Sequence, residues 1–247
     1  MLEEILQRVE ANLNRYDSRL PSLFCDEHVV SKVEPDQGHH DTTTDSVFRV
    51  RRTAAPDHTS SLVESREVKS VNGKTATKQD QAPIELSGAF EGGLAVVSLS
   101  QKACMKYELE RGNRKEPAGS YVVRFSTDLT RENSANCLLQ ENSKGVALVD
   151  PVSMQITHLE ITTLRHVIHP GDIYTSRVVG RRVLAIDYAP VVLGGETFLL
   201  PSTIGLDVIQ NFGSFHMTTW SLRATYRNYH KLEVTSRVVD AGSAPVQ

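Results

Sequence analysis

"IDYAPVVLGGETFLLPS", Ile186 to Ser202, is the stretch on which the reading of the fold turns. Apolar text broken by two glycines fits a nucleotide-binding loop, a membrane-seeking segment or a hairpin in a sheet. The first needs G-x-G-x-x-G spacing or a Walker lysine to cradle phosphate, and neither is present here or in "EGGLAVV" (Glu91 to Val97). The second needs roughly 18 uninterrupted apolar residues, and no window of the chain approaches that. The third remains: an alternating strand, a Gly194-Gly195 turn and a returning apolar strand make a β-hairpin.

The same chemistry extends on both sides. In "TTWSLRATYRN" (Thr218 to Asn228), Trp220, Leu222, Ala224 and Tyr226 fall on one face and Ser221, Arg223, Thr225 and Arg227 on the other, as in a sheet with one dry and one wet face. Such segments, among them "CMKYELER", "SYVVRFSTD", "CLLQENSKGVALVD" and "YHKLEVTSRVV", predict an antiparallel meander over 103–239. Asp150-Pro151 opens a tight turn within it. Upstream, "SVFRVRR" (Ser46 to Arg52) alternates, and "SLVESREVKSV" (Ser61 to Val71) ends in Asn72-Gly73, a hairpin signal because both residues tolerate positive φ. The polar stretches "EPDQGHHDTTTD" (Glu34 to Asp45) and "TAAPDHTS" (Thr53 to Ser60) read as loops.

Helical spacing occurs twice. Leu2, Ile5, Leu6, Val9 and Leu13 line one face of an amphipathic helix over 1–16, closed near Pro21. Phe90, Leu94 and Val97 predict a plug helix over 88–99, although "LAVVSLS" also fits a strand. The fold class is therefore α+β: a single domain over 1–247, with a long antiparallel sheet that must curl to bury its dry side.

With 39% apolar and 23% charged residues and a net charge of −3, the composition is that of a soluble protein. The 30 acidic residues outnumber the 27 basic ones and no basic cluster stands free of acids, which argues against nucleic acid. "MLEEILQRVE" is acidic where a secretory signal is basic, so the chain is either cytoplasmic or a mature form with a start Met added. The three cysteines lack C-x-x-C spacing. Cys104 and Cys137 each begin a strand of the meander, and strands one apart run in the same direction, so a disulfide between them is expected; the alternative is three buried, reduced thiols. Cys25, beside Phe24, reads as packed.

Three motifs in order carry a resemblance: Gly-x-x-x-Val-Asp-Pro from Gly145, Tyr-x-x-Val-x-Leu-Gly-Gly-x-x-Phe-Leu-Leu-Pro from Tyr188, and Tyr-x-Asn-Tyr-x-Lys-Leu from Tyr226. Following an N-terminal helix, strand text and a central helical stretch, they resemble the closing strands of the periplasmic lipoprotein-sorting superfamily, the carriers of the LolA and LolB type and the sensor domains built like them. "LPSLFCDEHV", from Leu20, also looks like text in a group of secreted bacterial proteins. The resemblance covers most of the chain. It implies an open half-barrel with helices plugging its concave side, and a periplasmic or secreted location. The concavity holds acyl chains in the transport members and is a sensing surface in others.

A carrier of a lipid or lipoprotein acyl chain would use the dry faces: Tyr121, Val123 and Phe125; Leu184, Ile186 and Tyr188; Phe198 and Leu200; Trp220, Leu222 and Tyr226; with Phe90, Leu94 and Val97 as the plug. Each lipid methylene removed from water contributes about 0.8 kcal/mol. Alternation is also what any folded sheet requires, so a filled core in an interaction or sensor domain with a protein partner accounts for the same residues. No cofactor and no catalytic residue is assigned. "QGHHD" (His39, His40, Asp41) and "THLEITTLRHVIHPGD" (His158, Glu160, His166, His169, Asp172) leave a metal-dependent hydrolase as a distant alternative, since neither forms a helix-borne H-E-x-x-H. The serines of Ser87-Gly88 and Gly213-Ser214 lack the strand-to-helix context of a nucleophile elbow.

Overall fold

The computed structural model describes residues 1–33, 40–54, 60–78, 80, 86, 88, 90, 94–110, 119–169, 178–212 and 215–232. The first helix, α1 (Leu2–Arg19), buries Ile5, Leu6, Val9 and Tyr16 along one stripe. Glu3 and Glu4 in its first turn and Arg19 in its last complement the helix dipole. It runs past the expected end at residue 16 and stops at Leu20, extended at φ −57° and ψ 117°, because Pro21 disfavours helical backbone in the residue before it.

The chain enters the sheet at its middle. Strands β1 (Leu23–Val33), β2 (His40–Ala54), β3 (Ser60–Val71) and the two-residue β4 (Lys74–Thr75) step outward to one edge. The chain then crosses to the opposite edge, where β5 (Met105–Glu110), β6 (Tyr121–Thr127), β7 (Ser143–Val149), β8 (Ile156–His169), β9 (Val178–Leu193), β10 (Glu196–Phe212) and β11 (Phe215–Lys231) step back. The last strand pairs with the first, Leu23 opposite Lys231 and Val33 opposite Trp220. All these pairings are antiparallel, and among the described residues the edges β4 and β5 do not pair, so the eleven strands form one open sheet, consistent with the expected half-barrel.

The turns form where the sequence places them. Gly194 and Gly195 sit at φ +60° and +86° between β9 and β10, and Asn72 and Gly73 at +50° and +73° between β3 and β4. Asp150 receives the backbone N–H groups of Val152 and Ser153 on Oδ1 at 3.1 and 2.7 Å. Residues 40–45, expected in a loop, are instead the start of β2, because His40 to Asp45 have β1 residues to pair with. "TTWSLRATYRN" and the start of "YHKLEVTSRVV", expected as separate strands, are one: β11 runs through Asn228, at φ +55°, where a bulge between Phe24 and Asp26 of the partner strand absorbs the irregularity, and residues 233–239 of the expected meander lie outside the described residues.

Of the plug helix expected over 88–99, the described residues Phe90, Leu94 and Ala95 are helical, while Ala89 and residues 91–93 lie outside the described residues. Gly88 is left-handed at φ +73°, and a 3-10 turn follows at Leu99–Gln101. Val96 and Val97, stiff at χ1, are not helical, so regular helix does not reach the expected end at residue 99. Phe90, Leu94 and Val97 are buried.

Cys104 and Cys137 form a disulfide with Cα atoms 5.6 Å apart. Cys104 directly precedes β5, but Cys137 does not begin a strand: it follows the 3-10 turn Ser134–Asn136, ahead of β7. Asn133 donates to the carbonyls of Ala103 and Asp128 at 2.8 and 2.9 Å, folding that connection back onto the chain beside Cys104. Closing a loop with a sequence separation of 33 constrains the unfolded chain by about 4 kcal/mol on the loop-entropy account. C104S/C137S is expected to lower unfolding stability by up to that amount in a urea titration, with the circular-dichroism spectrum retained.

Candidate functional site

One face of the sheet is apolar and covered. The sequence-derived set meets there: Val123, Phe125, Ile186, Tyr188, Phe198, Leu200, Leu222 and Tyr226 are buried, while Tyr121, Leu184 and Trp220 are partly buried and pack against the same core. Gly145, opposite Phe125 in the ladder, belongs to this design: a Cβ there would lie 2.3 Å from the Phe125 ring. At the rim Trp220 donates Nε1–H to Ser31 Oγ at 2.9 Å.

Two segments form the cover. One is α1, whose Tyr16 ring meets Phe198 edge-on at 6.5 Å. The other is the crossover from β4 to β5, which contributes Leu86, Phe90, Leu94, Val96 and Val97 to the core. Side chains tie the cover to the rest of the chain. Asn12 donates to the carbonyls of Ser153 and Met154 at 2.9 and 2.8 Å, Arg15 and Arg19 pair with Glu196 at 3.3 and 3.4 Å, and Tyr107 donates to the carbonyls of Val96 and Ser98 at 2.8 and 3.1 Å. The two cover segments hold each other through Ser100 N–H to Glu10 at 3.0 Å and Lys102 to Glu3 at 3.4 Å.

The cover leaves a narrow open cleft of about 40 Å³ between α1 and the turns of the sheet. Its walls are mostly apolar: Val9, Leu13, Tyr16, Leu94, Met154, Ile156, Phe198 and Leu199, with Asn12, Arg15, Gln155 and Thr197 beside them. Of the residues expected to touch a ligand, Leu94 and Phe198 line this cleft.

A buried charge cluster beneath the crossover was not foreseen. Arg66 on β3 donates Nε–H to both carboxylate oxygens of Glu27 on β1, at 2.9 and 3.2 Å, and a second nitrogen lies 3.4 Å from Glu64. The Glu27 side chain is 0% and that of Arg66 7% exposed. Arg66 lies over the Phe48 ring, 4.5 Å from its centre, and Phe48 packs on Phe90 at 5.2 Å. The cluster also holds the crossover backbone: Arg66 donates to Leu86 O at 3.2 Å, and Gly88 N–H donates to Glu64 at 3.1 Å. Burial pushes the Glu64 carboxyl above its ordinary range against the pull of Arg66. The signal was in the sequence: Leu23, Cys25, Glu27 and Val29 alternate inward, and a glutamate in that row demands a partner.

The histidines do not converge. His158 pairs with Asp187 at 2.7 Å and not with Glu160; His166 pairs with Glu141 at 3.1 Å; Asp41 pairs with Lys32 at 3.6 Å. His39, Asp172, Ser87 and Ser214 and the side chains of His40 and His169 lie outside the described residues. Among the described residues no group of three or more His, Cys, Asp or Glu could hold a metal ion. Cys25 is free and buried, its thiol pushed up to about 12 by burial.

The outer face carries a polar row. Ladder partners run Ser70, Asp45, His28, Thr225, Thr203, Asp187 and His158 from β3 to β8. Asp45 accepts from Ser70 at 2.6 Å and contacts His28 at 2.6 Å; Asp187 accepts from Thr203 at 2.7 Å and contacts His158. Hydrogen bonds from His28 and Ser70 hold the Asp45 carboxyl below its ordinary value. Burial works against Asp187, but Thr203 and His158 hold it low as well.

No protein-family model matches the chain, and no curated protein is similar to it in sequence. Three solved structures are similar end to end. A LolA superfamily protein from Nitrosomonas europaea shares 10% identity over 92% of this chain and 94% of its own, with a TM-score of 0.36. An outer membrane lipoprotein-sorting protein domain from Vibrio parahaemolyticus shares 11% over 93% and 92%, with a TM-score of 0.41. A DUF1329 family protein from Desulfovibrio piger shares 8% over 96% and 95%, with a TM-score of 0.35. No helix among the described residues is long and apolar enough to cross a membrane.

Removing one partner of a buried ion pair strands the other, so R66M is expected to destabilise by about 3 to 5 kcal/mol in urea unfolding, and E27Q/R66M to recover part of that loss. A carboxylate with a depressed folded-state pKa adds stability that is present above its unfolded value, about 3.9, and lost as the pH falls through the folded value. The stability gap between wild type and D45N/D187N should therefore be fully open at neutral pH and close below about pH 4, as read from unfolding midpoints across the acid range.

Proposed function

We propose that this chain is a non-enzymatic carrier or binding module for a lipid or lipidated partner, held against the apolar face of the half-barrel with α1 and the crossover as a displaceable cover. One observation carries the reading: the cover contains a mostly apolar cleft beside α1 that reaches Leu94 and Phe198 of the expected binding set. An acyl chain entering there would displace side-chain contacts and leave the sheet's ladders intact. At about 0.8 kcal/mol per buried methylene, a single chain supplies a useful affinity. The disulfide fits an oxidising compartment, so the protein acts in the periplasm or outside the cell. Phe90, Val97, Tyr121, Val123, Phe125, Leu184, Ile186, Tyr188, Leu200, Trp220, Leu222 and Tyr226 would line the opened interior.

The full burial of Ile186, Leu200 and Leu222 favours a second reading, in which the core stays filled and the chain works as an interaction or sensor domain without a small ligand.

Native mass spectrometry of protein purified gently from cells should show co-purifying lipid. L13W narrows the cleft at a partly buried position, and should reduce that lipid while leaving the unfolding midpoint within about 1 kcal/mol of wild type. Lipid-free protein under those conditions would overturn the carrier reading in favour of the filled core.

A further inference from the structure

The hairpin of β8 and β9 carries an unusual pairing. Thr163 is opposite Arg182 and His166 opposite Gly180, so Leu164 and Arg165 together face Arg181 across a bulge. The bulge thus places two like charges on neighbouring strands, which repel one another, and bulges recur where a strand re-aims side chains for a task. Arg165 and Arg181 are exposed, and neither forms an ion pair among the described residues. Arg182, the next residue, lies only within 3.8 Å of Glu141, a carboxylate already shared with His166 at 3.1 Å. Leu164 stands among these arginines 45% exposed.

Such an arrangement is uphill in isolation and favourable against anions. We propose that this end of the β8–β9 hairpin docks on an anionic lipid bilayer, Arg165 and Arg181 meeting headgroup phosphates and Leu164 entering the interfacial layer. Charge complementarity argues for it: the chain is acidic overall, at −3, while the hairpin sequence from Leu164 to Arg182 carries Arg165, Arg177, Arg181 and Arg182 against the single acid Asp172. The position is apt too, because Arg182 shares its ladder row with Val208 and Trp220, at the rim of the covered face. Docking at this site does not depend on lipid being held inside the half-barrel.

The test is co-sedimentation of the full chain with vesicles of phosphatidylcholine alone and of phosphatidylcholine containing phosphatidylglycerol. Binding is expected to the anionic vesicles only and to fall as salt is raised. Each arginine near the surface is worth about fivefold, so R165Q/R181Q should bind about 25-fold more weakly, and L164S should weaken binding while keeping the salt dependence. Thermal unfolding of each variant checks the fold, and the salt dependence of the wild type stands as evidence without any variant. Equal binding to both vesicle types, or a double variant that sediments like wild type, would overturn the proposal. Retention of lipid through purification is a separate readout, so failure of docking and failure of the carrier reading are distinguishable.

Discussion

The pairing of β1 with β11 is the constraint from which the other features follow. Because the first strand lies in the middle of the sheet and receives the last strand as its neighbour, the chain has to leave one edge at Thr75 and re-enter at the other edge at Met105. Its route passes over the apolar face, where leaving Phe48, Ile186, Leu200 and Leu222 uncovered would be costly. The crossover thus covers the face as a consequence of topology, and α1 completes the cover from the N-terminal side.

The Glu27–Arg66–Glu64 cluster lies along that route. An ion pair removed from water gains little over an apolar pair of the same shape, but it specifies geometry. Here Arg66 bridges β3 to β1 and reaches Leu86 O, while Glu64 accepts from Gly88, so the charges that register the early strands also hold the start of the crossover. At its far end the disulfide ties the crossover to the β6–β7 connection. The cover is therefore fastened near its start and at its end, and between them it rests on apolar contacts and on the bonds of Tyr107 to Val96 and Ser98 and of Ser100 to Glu10.

Period-two alternation, turn chemistry and the helical spacing of Leu2 to Leu13 carried most of the architecture in the sequence, because each is a local signal. The Gly-Gly hairpin, the Asn-Gly hairpin and the Asp-Pro turn stand where those signals put them. The spacing of Phe90, Leu94 and Val97 reported burial more surely than helix bounds: all three are buried, yet Val97 lies past the last helical residue, Ala95, because spacing records which side chains point inward and not where the backbone leaves the helix. The long strand β11 was hidden because β1, far away in sequence, pairs across its irregularity, and the early start of β2 because the adjacent residues His28 to Val33 of β1 pair with polar text that reads as a loop. The buried faces were legible residue by residue. The Arg66 cluster was not, since Glu27 and Arg66 share a site only once β1, β2 and β3 are side by side.

The β1–β11 pairing also has a kinetic meaning. Leu23 waits for Lys231, among the longest-range contacts in the chain, and non-local pairings of this kind slow the folding of sheet proteins. Until β11 arrives, β1 has β2 on one side and bare N–H and C=O groups on the other, a template for mispairing with another chain. During synthesis the N-terminal strands are thus the first made and the last completed, and the nascent chain is most exposed to aggregation just before its final strand is available.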